Sequence, residues 1–455
     1  MKKFICLALV CFSFIQAEEV LFEQDPTLLV SHFSIVIKTG SQDDSRDKVG
    51  LANLMSELVL RGTKTKSRTQ FQTELEKIGA TLAVHTSQDL VIFGGKVIKE
   101  NTLEFLKLFQ EALISPALSK TEFLNLKREI SAEVSHLKNS NNRLGGIAAR
   151  REVFAGSSLE TTVVGRLKTL SNVTLEDVKT AYQTRFHRAN IIFAVATSLP
   201  EATLKPELNK IWLGFPEGKA SVRKEVQPQV PEAPKLVIIH KAKTSTGAMV
   251  IAQAGITAQD PYRYELTAAN FAFGSEPLVS RLFRIIRGEL GWTYAIGTTY
   301  NATGALSYQP GMFIISATPS VEFSAKTLFK SMSLWDEYLE KGLEKDELIL
   351  AQDSLVNSYP FEFDSPEKRL AQKLNSLIND VPTLSPEDYE KTIRKISNSS
   401  IKKALNERHK KTSMIIALVA DKDIVEKQLA EEQKDIPEAK RLKIAKVITP
   451  EQVIE

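Results

Sequence analysis

The chain has 455 residues, with 59 Lys and Arg against 55 Asp and Glu, and a formal net charge of +4. A charge so close to balance, with no segregated basic block, argues against a nucleic-acid partner. The length leaves room for two domains of ordinary size, each able to bury its own core.

Residues 1–17, MKKFICLALVCFSFIQA, have the form of a secretory signal peptide. Two lysines precede an apolar run that is too short to span a bilayer, and a small residue ends the segment. We therefore predict that residues 1–17 are removed and that the protein is periplasmic or secreted. Lipoprotein processing at Cys11 is disfavoured because Val10 precedes it. Since Cys6 and Cys11 are the two cysteines of the chain, the mature protein would have no disulfide, cysteine metal site or cysteine nucleophile.

The apolar periodicity of residues 18–220 predicts an N-terminal α+β domain, in which long helices pack on a mostly antiparallel sheet. A β-branched run over 28–38 predicts a strand, and 50–60 predict a helix that Gly62 closes. The other predicted elements are a helix over 65–79 capped at Ser67 or Thr69, a hairpin over 81–98, and helices over 100–113 and 120–137.

Helix and strand periodicity stops at residues 221–235, where three prolines and several charges predict a solvated linker. Beyond the linker, residues 236–455 predict a second domain with strands over 236–240 and 247–254 and a helix over 262–273. The order of strand, turn, long helix and further strands is the same in both halves. This repetition indicates two related domains, although residue identity between them is low.

The predicted helix in GLANLMSELVLRGT (50–63) has the pattern of a metal-binding helix without its metal-binding side chains. In the inverted zinc-protease motif His-x-x-Glu-His, two imidazoles bind Zn²⁺ and the Glu activates a water. Here the three places hold Asn53, Ser56 and Glu57. An Asn amide is a weak oxygen donor and a Ser hydroxyl cannot act as a base at neutral pH, so a hydrolytic zinc is not expected at this helix.

Four segments together carry a family resemblance: KTGSQDDSRDKVGLANLMSELVLRGT, IGATLAVHTSQD, LKREISAEV and, in the second half, SRLFRIIRGELGWTY. The chain resembles the pitrilysin and insulinase metallopeptidases, the inverzincins, over about residues 19–424. The resemblance implies two related α+β domains joined by the linker into a clam-like shell. It also implies that the zinc site of this chain is degenerate.

The resemblance places the family's first zinc His on Asn53, its catalytic Glu on Ser56 and its second zinc His on Glu57. The third ligand, a Glu on another helix, falls on Glu133, which alone keeps the family's residue type. The expectation is therefore that this chain binds no metal cofactor of its own. A rescue in which Glu57, Glu133 and His136 together hold a metal remains open, because Glu133 and His136 share a helical face.

In the second half the family has an Arg and a Tyr that reach into the active cleft, and here they fall on Arg287 and Tyr294. An Arg fork can hold a carbonyl or carboxylate, and a Tyr hydroxyl can stabilise an oxyanion. The alternative without a function is that Arg287 is a solvated surface charge and Tyr294 is an ordinary residue of a strand. The resemblance also implies a strand bordering the cleft at Ala83, Val84 and His85, whose edge can hold an extended peptide by main-chain pairing.

These features predict a zinc-free subunit of a heterodimeric metallopeptidase, similar to the non-catalytic partner in bacterial and mitochondrial processing peptidases. Its expected partners are a homologous zinc-bearing chain and a peptide or unfolded polypeptide substrate, and zinc is expected in the partner. Two alternatives stay open: a peptide-binding or scaffold protein with no role in catalysis, which could be a homodimer, and an autonomous zinc endopeptidase.

Overall fold

The structure is a computed structural model that describes residues 20–222, 225–300 and 307–455. The predicted signal peptide over 1–17, with Cys6 and Cys11, lies outside the described residues. Within them, every helix is too short or too polar to cross a membrane.

The N-terminal half is a five-stranded sheet with helices packed on one face. Its strands are β1 (Val20–Gln24), β2 (Val30–Ile37), β3 (Ala80–Thr86), β4 (Val91–Ile98) and β5 (Ile191–Thr197). They lie in the order β1-β5-β2-β4-β3, with β1 parallel to β5 and the other pairs antiparallel. The helices are α1 (Leu51–Val59), α2 (Arg68–Lys77), α3 (Thr102–Ile114), α4 (Lys120–His136), α5 (Asn141–Val153), α6 (Leu167–Asn172), α7 (Leu175–Arg185) and α8 (Glu201–Gly214).

The C-terminal half is built on a six-stranded sheet. Its strands are β6 (Lys235–His240), β7 (Ala248–Ala254), β8 (Thr293–Tyr300), β9 (Met312–Pro319), β10 (Ile415–Ala420) and β11 (Ile444–Ile448). The α-helices are α9 (Arg263–Asn270), α10 (Ser324–Lys341), α11 (Lys345–Ser358), α12 (Pro366–Asn379), α13 (Pro386–Arg394), α14 (Asn398–Arg408), α15 (Lys422–Glu432) and α16 (Pro450–Ile454). Two π-helical segments, Phe271–Ser275 and Phe283–Glu289, lie between α9 and β8.

The two sheets repeat one topology. The second sheet has the order β11-β6-β10-β7-β9-β8, so without β11 its strands follow the order of the first sheet, and β6 is parallel to β10 as β1 is to β5. The predicted α+β architecture of two related domains is therefore confirmed.

Each half contributes one helix to the sheet of the other half. Helix α5 packs on β7 and β10, where Gly145 lets the backbone approach so closely that an added Cβ would lie 3.0 Å from Val250. Helix α12 packs on β1 and β5 through Leu370, Leu374 and Ile378, which are all buried. The two halves are thus joined by a reciprocal exchange of helices as well as by the chain between them.

The segment between α8 and β6 follows the protein surface. Its described residues, 215–222 and 225–234, form no helix or strand. Pro228, Pro231 and Pro234 recur at every third position and are half-buried, while the residues between them are exposed. The main-chain N–H of Gln229 donates to the carbonyl oxygen of Val153 at 2.7 Å. Proline restricts the backbone, so this segment is a semi-rigid strap that lies against the molecule.

A polar junction also connects the two halves. Asp89, which follows β3, is buried and accepts hydrogen bonds from the Ser307 hydroxyl (2.9 Å) and the Tyr308 main-chain N–H (3.0 Å). Burial raises the pKa of Asp89, and these hydrogen bonds oppose the rise. The connection between β8 and β9 therefore meets the N-terminal half next to the end of β3.

Candidate functional site

Helix α1, which carries Asn53, Ser56 and Glu57, is fixed at its N-terminus by a buried carboxylate. Asp44 accepts hydrogen bonds from the main-chain N–H groups of Gly50 and Ala52, each at 3.1 Å, and pairs with Arg185 at 2.8 Å. Gly50 has a φ of +107°, a conformation that glycine adopts without strain. Burial raises the pKa of Asp44, while Arg185 opposes that rise. The orientation of α1 is therefore set by the fold and needs no metal.

Ser56, which the resemblance places at the family's catalytic base, has a buried side chain. Its hydroxyl lies 2.6 Å from the Thr86 hydroxyl at the end of β3 and 3.1 Å from the carbonyl oxygen of Asn53. A buried hydroxyl must find hydrogen-bond partners because leaving it unpaired costs free energy. Ser56 therefore connects α1 to the sheet.

Glu57 interacts electrostatically with Glu133, Glu129 and the Arg61 guanidinium. Burial raises the pKa of Glu57, the Arg61 charge opposes the rise, and the charges of Glu129 and Glu133 add to it. Arg61 forms a two-pronged pair with Glu129, at 3.1 and 2.5 Å. The single charge of Arg61 is thus shared among Glu129, Glu57 and Glu122, which lies 3.7 Å from it.

The donor set at this place does not fit a zinc ion. Glu133 and His136 are both exposed on α4, and Asn53 and Ser56 supply an amide and a hydroxyl where imidazoles and a base are needed. Among residues 20–222, 225–300 and 307–455, no three His, Cys, Asp or Glu side chains lie together in a way that could hold a metal.

The structure brings Arg287 and Tyr294 together. Arg287 lies on the second π-helical segment, and its Nε donates to the carbonyl oxygen of Tyr294 at 2.9 Å. The guanidinium also stands 4.6 Å from the ring centre of Phe283. Between the pair, Gly291 has a φ of +65° and turns the chain from helix into β8. The Tyr294 side chain is 84% exposed, so its phenol faces away from the core of this chain.

An apolar loop beside this pair escaped the sequence analysis. Leu278 is 72% exposed and has a φ of +73°, a strained value for a side chain of its kind, and Val279 is 47% exposed. The loop is anchored by Arg281, whose Nε donates to Glu347 at 3.0 Å at the start of α11. π-Helical segments flank it on both sides, and such irregularities are frequent at functional sites. In the sequence, the run Pro-Leu-Val before Ser280 could have indicated an exposed apolar loop.

Strand β3 is the outer strand of its sheet, so one row of its main-chain groups is free. Ala83 and His85 are exposed and lie on one face, while Val84 is half-buried and packs against the N-terminal core. The structure therefore places Ala83, Val84 and His85 on an open sheet edge.

Strand β8 is also an outer strand, but Tyr294 lies near its beginning. The opposite end, at Tyr300, leads into the connection that meets Asp89 next to β3. Six residues of strand correspond to roughly 20 Å. The Arg287 and Tyr294 pair is therefore turned away from the junction at which β3 ends.

Comparisons with known proteins agree over most of the chain. Residues 19–162 match the family model described as insulinase (peptidase family M16), and residues 172–355 match the model described as peptidase M16 inactive domain. The structure is similar to the crystal structure of a peptidase M16 inactive domain from Pseudomonas fluorescens, with a TM-score of 0.81, 21% identity, and coverage of 88% of this chain and 95% of that chain.

Three curated relatives carry different names. An uncharacterized zinc protease of Rickettsia felis is 22% identical, over 71% of this chain and 76% of its own length. The non-peptidase homolog YmxG of Helicobacter pylori is 23% identical, over 89% of this chain and 92% of its own length. The probable mitochondrial-processing peptidase subunit alpha of Schizosaccharomyces pombe is 20% identical, over 84% and 82%. With both domain models matched in order and the fold shared, the chain belongs to the M16 (insulinase) peptidase family.

Proposed function

We propose that this chain is the zinc-free subunit of a two-chain metallopeptidase and presents Arg287 and Tyr294 to a peptide held at the partner's zinc. One observation carries the proposal: the zinc motif has lost both imidazoles and the base, while Arg287 and Tyr294 remain side by side on the surface. The name of the mitochondrial-processing peptidase subunit among the relatives supports a two-chain arrangement.

The chemistry follows from the two side chains. Arg287 uses its Nε on the Tyr294 carbonyl, which leaves the other guanidinium nitrogens free to hold a substrate carbonyl. The Tyr294 hydroxyl can donate to the oxyanion that forms when a peptide carbonyl is attacked. Closure of this surface over the partner would exclude water and strengthen both interactions.

The test is to mix the purified chain with a zinc-bearing relative from the same cell and to measure peptide cleavage. We expect Arg287→Ala or Tyr294→Phe to lower kcat by about 100-fold, because each removes a donor to the developing charge. Arg284→Ala, on the same π-helical segment, is the matched control and should leave cleavage unchanged. Cleavage that proceeds equally well with all three variants would refute the proposal.

A second candidate function is peptide binding or assembly without a part in catalysis. The relative named as a non-peptidase homolog and the open edge of β3 favour it. Co-purification separates the two: a stable partner with His-x-x-Glu-His supports the first function, and an inactive homodimer supports the second. Metal analysis of the isolated chain tests autonomous proteolysis, which requires stoichiometric zinc.

We also propose that the chain is exported, on the basis of residues 1–17. The mature protein recovered from the cell envelope should begin at Glu18. A protein that keeps Met1, or that fractionates with the cytoplasm, would contradict export.

A further inference from the structure

A cavity of about 460 Å³ lies over the outer face of the N-terminal sheet, beside α12. Its wall is formed by Leu370, Ala371 and Leu374. The volume is within the range of pockets that hold small ligands or the end of a peptide. Neither the degenerate zinc motif nor the Arg287 and Tyr294 pair contributes to it.

The cavity exists because α12 is displaced relative to its counterpart. In the C-terminal half, α5 lies on β7 and β10, whose equivalents in the first sheet are β2 and β5. Helix α12 lies instead on β1 and β5, one strand farther from β3. Helix α12 therefore covers the outer face of β2 and β4 only in part, at Val36 and Ile92, and the cavity occupies the remaining space over Ser34 and Gly94.

Gly94 keeps the floor of the cavity open. Its neighbour Gly95 faces the core, where an added Cβ would lie 2.3 Å from the Phe105 ring, so packing requires glycine there. An added Cβ at Gly94 would meet nothing within 4 Å, and the backbone there is not left-handed. Neither the packing nor the backbone conformation at Gly94 therefore requires glycine, and the missing side chain leaves space for a ligand.

The polar rim of the cavity carries one lysine, Lys96, whose charge helps to lower the pKa of Glu367 but which forms no direct ion pair among the described residues. His32 Nε2 lies 2.9 Å from Glu367 Oε1, so these two groups pair across the interface of the halves. Lys96 is exposed, is on the same face of β4 as Gly94, and makes no ion pair with any residue that the structure describes. An anionic group on an apolar ligand would complement this rim.

The open edge of β3 lies next to the cavity. Ala83 on β3 pairs with Gly94, and Gly94 pairs with Ser34 on β2, so only small side chains lie between the edge and the interior of the cavity. An extended peptide that pairs with the free main chain of β3 can pass its end over Ala83 without a steric barrier.

From these observations we infer that the cavity binds the C-terminal end of an extended peptide whose last residue is apolar. The apolar side chain packs between Gly94 and Leu370, and the terminal carboxylate pairs with Lys96. The site lies between the N-terminal sheet and α12 of the C-terminal half, and it does not depend on whether the chain joins a zinc-bearing partner.

The test uses the full mature chain and an N-terminally labelled hexapeptide that ends in leucine, in acid and C-terminal amide forms, followed by fluorescence anisotropy. We expect saturable binding, about tenfold tighter for the acid than for the amide. Gly94→Leu fills the cavity and should weaken binding at least tenfold, while Gly146→Leu, at a helical glycine that is equally free of neighbours, should not. Lys96→Gln should remove the preference for the acid peptide over the amide. Lys107→Gln, at an exposed position of α3, should keep that preference.

Three results would overturn the inference. In the first, the acid peptide shows no saturable binding, and in the second, Gly94→Leu binds it with wild-type affinity at an unchanged unfolding midpoint. In the third result, decanoate displaces the peptide and the acid and amide forms bind with equal affinity. The last would assign the cavity to an aliphatic chain. Lys96→Gln is a surface substitution that leaves the core untouched, so its readout remains if Gly94→Leu does not fold.

Discussion

At the scale of single residues, Ser56 shows how one buried hydroxyl can join a helix to a sheet. Its hydroxyl binds Thr86 within the space between α1 and β3, both groups are buried, and the contact joins helix to sheet. The sequence alone indicated that Ser56 cannot act as a base. That it is buried, and with which partner, depends on the packing of β3 against α1, which lies 30 residues away in the chain.

His409 is the residue with the clearest consequence for pH. It is buried, its Nδ1 lies 2.8 Å from Gln253 Oε1, and its Nε2 lies 2.9 Å from the Tyr300 hydroxyl. This pattern fits a neutral ring whose Nδ1–H donates and whose Nε2 accepts. Burial lowers the pKa of His409 to about 3, from an ordinary value of 6.5.

From this pKa shift we expect His409 to lower the free energy of unfolding of the protein in acid. The unfolded state takes up the proton below pH 6.5 whereas the folded state resists it down to about 3, so the stabilisation is complete above 6.5 and falls as pH decreases through that window. Between about pH 7.5 and pH 4.5 the loss should be on the order of 2–3 kcal/mol.

Urea unfolding at the two pH values measures this loss, with His409→Gln for comparison. The variant is less stable at neutral pH, but its free energy of unfolding should depend less on pH by about the same amount. An equal pH dependence in the two proteins would mean that the ring is already protonated in the fold.

At the scale of elements, β4 contains two adjacent glycines with opposite roles. We expect Gly95→Ala to destabilise the protein by roughly 1–3 kcal/mol, because the new methyl group would collide with Phe105. Gly94→Ala should be neutral or slightly stabilising, since nothing lies near its new methyl group and the unfolded chain loses freedom. The pair is its own control, and chemical denaturation compares them. Equal effects would show that the outer face of β4 is not open.

Most elements could be predicted from the sequence because their apolar periodicity is local. Residues 50–60, 81–98 and 120–137 were assigned correctly as helix, hairpin and helix, with ends that differ by a residue or two, and Ser67 is the N-cap of α2. The π-helical segments were not foreseen, because an extra residue per turn follows from how Phe273 and Ile286 fit the core and not from periodicity.

The candidate site divides in the same way. The predicted loss of zinc ligands and the prediction of the Arg287 and Tyr294 pair rest on residue type at fixed spacing, so both could be made from the sequence. The loop at Leu278 and the cavity beside α12 depend on which helix covers which strand, and no local pattern in the chain records this.

At the scale of the whole molecule, the exchange of α5 and α12 decides how the halves hold together. A protease site inserted among residues 219–222, which are exposed, should allow the strap to be cut. We expect the two fragments to co-elute in size-exclusion chromatography and to separate only in denaturant, because Leu370, Leu374 and Ile378 stay buried on the opposite sheet.

As a control, each half should be expressed alone. The N-terminal half without α12 would expose the apolar face around Val36 and Ile192 and should aggregate. Fragments that separate after cutting, or halves that are soluble and monomeric alone, would show that the exchanged helices contribute little to cohesion.

The hydroxyl pair at Ser56 and Thr86 has an evolutionary consequence. Recovering a self-sufficient hydrolase would require two imidazoles and a carboxylate, and the carboxylate would have to enter a space that is already filled. Each intermediate on that route would gain no activity, and the step at Ser56 would weaken the fold. Under the proposed function, selection would therefore act against reversion one substitution at a time. The peptidase role of this chain would then have to be inherited together with the gene for a zinc-bearing partner.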